Sequence, residues 1–173
     1  SCSLVGSEMC IRDRSNHKPY DSWQKDVLPQ NVRLGVICPH AHTDRFNSFL
    51  QRLNTTVKAN DNSDYIQPYT GFHSIYKTLL EIPDRNTDKW IKTEDTPRDT
   101  ISLAQSICHQ AGSLADKYPG IVVVIYIPTS WSIHKQFKHN GESFDLHNYI
   151  KAYAAQHSFT TQIIEEKLSL IHI

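Results

Sequence analysis

Between residues 31 and 167 the apolar positions alternate between unbroken runs and helical spacing. Val32-Arg-Leu-Gly-Val-Ile-Cys-Pro39 is a short β-branched run closed by proline, which predicts a buried strand. Phe46, Phe49, Leu50 and Leu53 follow at helical spacing behind Thr43, predicting an amphipathic helix over 44–54. Residues 60–63 read as a polar turn. The aromatic-rich stretch 65–82, with Gly71 inside and Pro83 after it, predicts short extended segments and one helical turn. The charged stretch 84–95 reads as a surface loop. A second helix is expected from Thr96-Pro-Arg-Asp99, with Thr96 as cap and Pro97 in the first position. Ile101, Ala104, Ile107, Cys108, Ala111, Leu114 and Ala115 give it one apolar stripe, and Tyr118-Pro-Gly120 ends it.

Ile121 to Ile127 is apolar at every position, as in a central strand of a parallel sheet covered on both faces. A polar loop is predicted over 132–143. A third helix over 144–157 carries Leu146, Ile150, Tyr153 and Ala154 on its apolar face, and 160–165 reads as a last strand. The order β-α-mixed-α-β-α-β predicts an α/β fold, Rossmann-like, with a mostly parallel sheet flanked by helices. Ligands of such sheets favour the crevice at the strand carboxyl ends.

Composition narrows the picture little. The 173 residues are 39% hydrophobic, and no apolar run is long enough to span a bilayer. Lys+Arg and Asp+Glu both number 18, which argues against a protein that coats nucleic acid nonspecifically but leaves room for one phosphate pocket. The four cysteines show no zinc-type spacing and fit reduced thiols of a cytoplasmic protein. His40-Ala-His42 brings two rings to one side of an extended segment, yet no third or fourth ligand stands at suitable spacing, so no metal site is expected within the chain.

The two ends carry a different signal. Met9-Cys-Ile-Arg-Asp-Arg14 and Leu168-Ser-Leu-Ile-His-Ile173 can be back-translated as reverse complements of one another. That nucleotide string resembles the transposon end used to build sequencing libraries. Residues 1–14 and 168–173 are therefore expected to be adapter-derived, with 15–30 a linker and 31–167 the folded part, open at both ends. Excluding both ends removes two basic and two acidic residues and keeps the charge balance.

The candidate chemistry lies on the third helix and the last strand. His147 and Lys151 are four residues apart and neighbours on one face. Counting from Leu146 places them at roughly 100° and 140°, on the flank of the apolar stripe. There a group is partly desolvated and still reaches a ligand. Gln162 is a neutral donor on the following strand. An imidazole, an ammonium and an amide suit a terminal phosphate, and the helix N-terminus near Asp145 adds positive potential. The same pair also describes a solvated helix surface, and Gln162 also suits the cap of a sheet edge. Trp90 and Trp131 read as packing residues.

Phe144 to Lys167 resembles the MID region of prokaryotic Argonautes at its junction with the PIWI region. In that family a Tyr or His on a helix is followed four residues later by Lys, and then by a Gln in a Thr-Gln-hydrophobic strand. The upstream runs 33–39 and 123–131 also resemble strands of that region. The similarity spans about residues 30–167, and its specific part is 121–167. It implies a Rossmann-like MID fold in which His147, Lys151 and Gln162 hold the 5′ phosphate of a guide strand. The segment 137–143 resembles the one that contacts the first guide base, with Lys138 and Asn140 as candidates. The resemblance further implies a 5′-phosphorylated RNA or DNA guide, a complementary target, and an effector protein if the parent is a short, inactive Argonaute. Mg2+ or another divalent cation at the guide phosphate is implied for the full-length protein. No catalytic residue is expected in this chain, because the family's carboxylates lie in PIWI. The alternative is a piece of a guide-directed endonuclease. A Rossmann-type nucleotide-binding enzyme lacks its signature here, since neither GxGxxG nor GxxxxGK(S/T) occurs.

Overall fold

A computed structural model describes residues 31–56 and 69–167. The adapter-like ends, the linker 15–30 and the expected turn at 60–63 lie outside the described residues. By internal contacts the chain divides into a smaller unit (residues 1–32 and 50–81) and a larger one (33–49 and 82–173).

Four parallel strands organise the larger unit. β1 (Asn31–Pro39) pairs with β3 (Trp90–Thr93) and with β4 (Val122–Ile127), and β4 pairs with β7 (Thr160–Glu165). Helix α1 spans Thr43–Leu53, α3 spans Thr100–Lys117 and α4 spans Leu146–Gln156. This is the expected α/β architecture, a mostly parallel sheet flanked by helices.

Because side chains alternate along a strand, the sheet has two unlike faces. Ile37, Val123, Ile125, Ile127 and Ile163 point to one face, where Leu103, Ile107 and Ala111 of α3 and Leu146 and Ile150 of α4 complete an aliphatic core. Val36, Trp90, Val124 and Tyr126 fall on the other. There Phe46 of α1 lies 4.8 Å from Tyr126 and 6.1 Å from Trp90, ring centre to ring centre. Both Trp90 and Trp131 are buried, and the Trp131 indole N–H donates to the Asp95 carbonyl at 3.0 Å. Gly35 sits in close approach: a Cβ there would stand 3.0 Å from Ile121 Cδ1 and 3.3 Å from Leu114 Cδ1, so both side chains would have to shift.

In the smaller unit, α2 (Phe72–Tyr76) begins after Gly71 and β2 (Leu79–Glu81) follows it. The Asn54 side chain donates to the Leu80 carbonyl at 3.0 Å, and the Tyr69 hydroxyl donates to the Leu53 carbonyl at 2.8 Å. A short helix and a short strand therefore stand where one helical turn and extended segments were expected.

Three expectations are corrected. The charged stretch 84–95 contains a strand, β3, whose Trp90 and Ile91 pair with Val36 and Ile37 of β1. Helix α3 is capped by Asp99, not Thr96; the Asp99 carboxylate accepts the Ser102 N–H at 2.8 Å, and aspartate is the stronger cap. The segment 132–143 is no loop. A 3-10 turn (Thr129–His134) leads into an antiparallel hairpin of β5 (Gln136–His139) and β6 (Glu142–Asp145). Asn140 and Gly141 turn it with φ of 52° and 83°, the positive pair a two-residue hairpin loop needs.

Candidate functional site

Helix α4 starts where Asp145 stops the β6 strand. Its carboxylate accepts the Asn148 N–H at 3.0 Å, so one of the free N–H groups expected to face a ligand is already satisfied, beside a negative charge. Leu146, Ile150 and Ala154 bury one side of the helix. His147 is exposed, one residue beyond that stripe. Lys151 sits on its flank, half-buried, as the helical count predicts.

The Lys151 ammonium donates to the backbone carbonyl of Thr161, the second residue of β7. Burial pushes its pKa below the ordinary lysine value, because the charged form has lost part of its water. Beside it the Thr161 hydroxyl is buried, with no hydrogen-bond partner among the described residues.

Gln162 is half-buried in register with Val124, on the sheet face opposite α4. Its side-chain amide donates to the Ile163 carbonyl at 3.4 Å. Carbonyls of residues two apart on a strand point to the same side, so those of Thr161 and Ile163 share one side of β7. Lys151 comes to that row from the helical face and Gln162 from the other. The structure thus brings Lys151 and Gln162 to neighbouring carbonyls of one strand. It gives His147 no polar contact with either.

Lys138 and Asn140 do not join them. Lys138 is exposed on β5, opposite Ser143 in the hairpin register, and Asn140 forms the turn itself. Aromatic contacts fix the hairpin on α4: Phe137 lies 5.6 Å from both Phe144 and Tyr149. The Asn140-Gly141 dipeptide was the available signal for this hairpin.

The site's chemistry suits an anion and not a cation. No three His, Cys, Asp or Glu among the described residues gather as a metal site. His42 instead packs its ring 5.5 Å from Tyr126.

Sequence reasoning missed a concavity elsewhere in the larger unit. A cleft of about 450 Å³ opens between the carboxyl end of β3 and the first half of α3. Ser102, Ser106 and Gln110 line it, a polar row at helical spacing of four that was legible beside the apolar stripe. No family model matches the chain, and no curated protein matches it either. No helix among the described residues is long and apolar enough to cross a membrane.

Proposed function

We propose that residues 31–167 form a guide-anchoring module of the Argonaute MID type, binding the 5′-phosphorylated end of a guide RNA or DNA. The observation that carries this reading is the meeting of Lys151 and Gln162 at one side of β7. Two donors from different elements end on carbonyls of alternate residues in one strand, which repeat at about 7 Å. A terminal phosphate has oxygens enough to draw on both, and a partly desolvated ammonium binds a dianion more strongly than a solvated one. His147, one turn before Lys151 and exposed, is free to swing onto the phosphate or the first base. Lys138, at the hairpin, is left with a weaker role in contacting that base, and Asn140 acts through the turn it makes.

In this reading the module works in the cytoplasm, in guided defence, and its guide pairs with a complementary target. Whether the parent cuts that target or signals through an effector depends on carboxylates outside the chain.

Guide binding tests the proposal directly. A 5′-phosphorylated oligonucleotide should bind more tightly than its 5′-hydroxyl twin. Lys151→Ala should remove that difference, weakening the phosphorylated guide by about tenfold or more, the worth of a charge-assisted contact. Equal affinity for the two guides in the unaltered protein would sink the reading.

A further inference from the structure

The cleft between β3 and α3 has the make-up of a small-molecule site, and nothing in it depends on the guide-end reading. Its volume of about 450 Å³ lies in the range of small-ligand pockets. It opens at a strand carboxyl end, where parallel α/β sheets place ligands.

Three kinds of surface converge there. At the inner end, Thr93 Oγ1 and Gln110 Oε1 are buried and have no hydrogen-bond partner among the described residues. Buried polar atoms are nearly always paired, so each of these acceptors would gain a partner if its side chain turned toward a ligand in the cleft. Pro97 and Leu103 supply an apolar wall. Lys92 and Arg98 are exposed, and neither has an ion-pair partner among the described residues, whereas Arg45, Arg85, Lys117 and Lys135 are all paired with carboxylates. Of the two lining carboxylates, Asp99 is engaged by the Ser102 N–H, which holds its pKa below the usual carboxylate range. Glu94 remains exposed as an acceptor for hydroxyls.

An amide offers an acceptor and a donor side by side, which matches the paired donor and acceptor on one edge of adenine. The wall suits a flat ring, the exposed cations suit a phosphate, and Glu94 suits a sugar hydroxyl. From this juxtaposition we infer that the cleft binds a purine mononucleotide of the adenine type, with Gln110 reading the base and Arg98 meeting the phosphate. The site is separate from the Lys151–Gln162 pair.

Titration of the full chain with AMP, followed by calorimetry, tests this. AMP should bind saturably and more tightly than adenosine or CMP. Gln110→Leu should weaken AMP by about tenfold or more, the discrimination expected of a lost bidentate contact. Arg98→Ala should bring AMP down to the affinity of adenosine. Ser106→Trp, an exposed position on α3, should fill the cleft and abolish binding while circular dichroism stays unchanged. Lys151→Ala, which removes any AMP held through its phosphate at β7, should leave the Gln110-dependent AMP binding in place. Absence of saturable binding at millimolar AMP overturns the inference, as does binding indifferent to both Gln110→Leu and Ser106→Trp. Loss of AMP binding in Lys151→Ala would place the nucleotide at α4 and also overturn it, whatever guide-binding assays give.

Discussion

The two faces of the central sheet are built from different materials. Under α3 and α4 the strands present mainly aliphatic side chains, Ile37, Val123, Ile125 and Ile163 meeting Ile107, with the buried Trp131 in the same cluster and the rings of Phe137, Tyr149, Tyr153 and Phe159 packed against it. Under α1 lie aromatic rings with polar groups threaded between them. Phe46 sits against Tyr126 and Trp90, and the Trp90 indole N–H is buried with no hydrogen-bond partner among the described residues. At the rim of this face the buried Glu166 carboxylate accepts Arg45 at 2.6 Å, and the Thr129 N–H and hydroxyl at 2.8 Å each. The aliphatic positions of that face draw their stability mainly from apolar burial and tolerate volume-conserving repacking. The aromatic face depends on a few large side chains and on a charge, so it should fail more abruptly and should feel pH.

Phe46→Ala breaks the comparison hardest. Phe46 has no exposed surface and touches two of the face's rings, so its loss should cost about 3–5 kcal/mol in chemical denaturation, from transfer and cavity together. An equal cost from Ile125→Val, where about 0.5–1.5 kcal/mol is expected, would remove the distinction between the faces.

Glu166 supplies the next effect, and it carries a pH signature. The Thr129 N–H, the largest cause, and then the Thr129 hydroxyl, His42 and Arg45 hold its pKa below the usual glutamate value. A carboxyl with a depressed folded pKa contributes stability that is present above its unfolded pKa, about 4.3, and is lost as pH falls through the folded value. Glu166→Gln should therefore lower stability by about 2 kcal/mol at pH 7, where charge-assisted bonds are lost, and the gap to the unaltered protein should close below about pH 4. A gap that persists at pH 3 in urea melts would contradict the assignment.

The mildest probe uses the thiols, one on each face. Cys38 follows Ile37 on β1 and so points to the aromatic side, while Cys108 lies on α3 in the aliphatic core. Burial pushes Cys38 up to about 12 and Cys108 up to about 11, so neither offers much thiolate at neutral pH. In a Cys2→Ser, Cys10→Ser background both should label with a thiol reagent only as the protein unfolds. Phe46→Ala should speed labelling of Cys38 before Cys108. The reverse order would show that the aliphatic face opens first.

Legibility in the sequence followed the locality of the signal. β1 and β4 announce themselves as apolar runs, β7 as a short Thr- and Ile-containing stretch after a helix, and α3 and α4 by their stripes, so the parallel α/β layout was readable. β3 was hidden because Trp90 to Thr93 is four residues inside a charged stretch; its strand character comes from pairing with β1, more than fifty residues away. The cap at Asp99 was misplaced because Pro97 at a first helical position competes as a signal with the true cap two residues later. At the site, the helical count put Lys151 on the flank of the buried stripe, and the structure has it there. The count carried no information on which sheet face Gln162 occupies, since that depends on the register of β7 against β4.

The carbonyl row of β7 has one more consequence. β7 ends the sheet order among the described strands, and its Thr161 carbonyl takes a side-chain ammonium. A free row at a sheet edge is a template on which a foreign strand can dock, and natural sheets guard such rows with lysine. Lys151 and Gln162 stopper this one at Thr161 and Ile163. A ligand that draws the two side chains away also uncorks the edge, so ligand capture and strand addition at β7 compete for the same two stoppers.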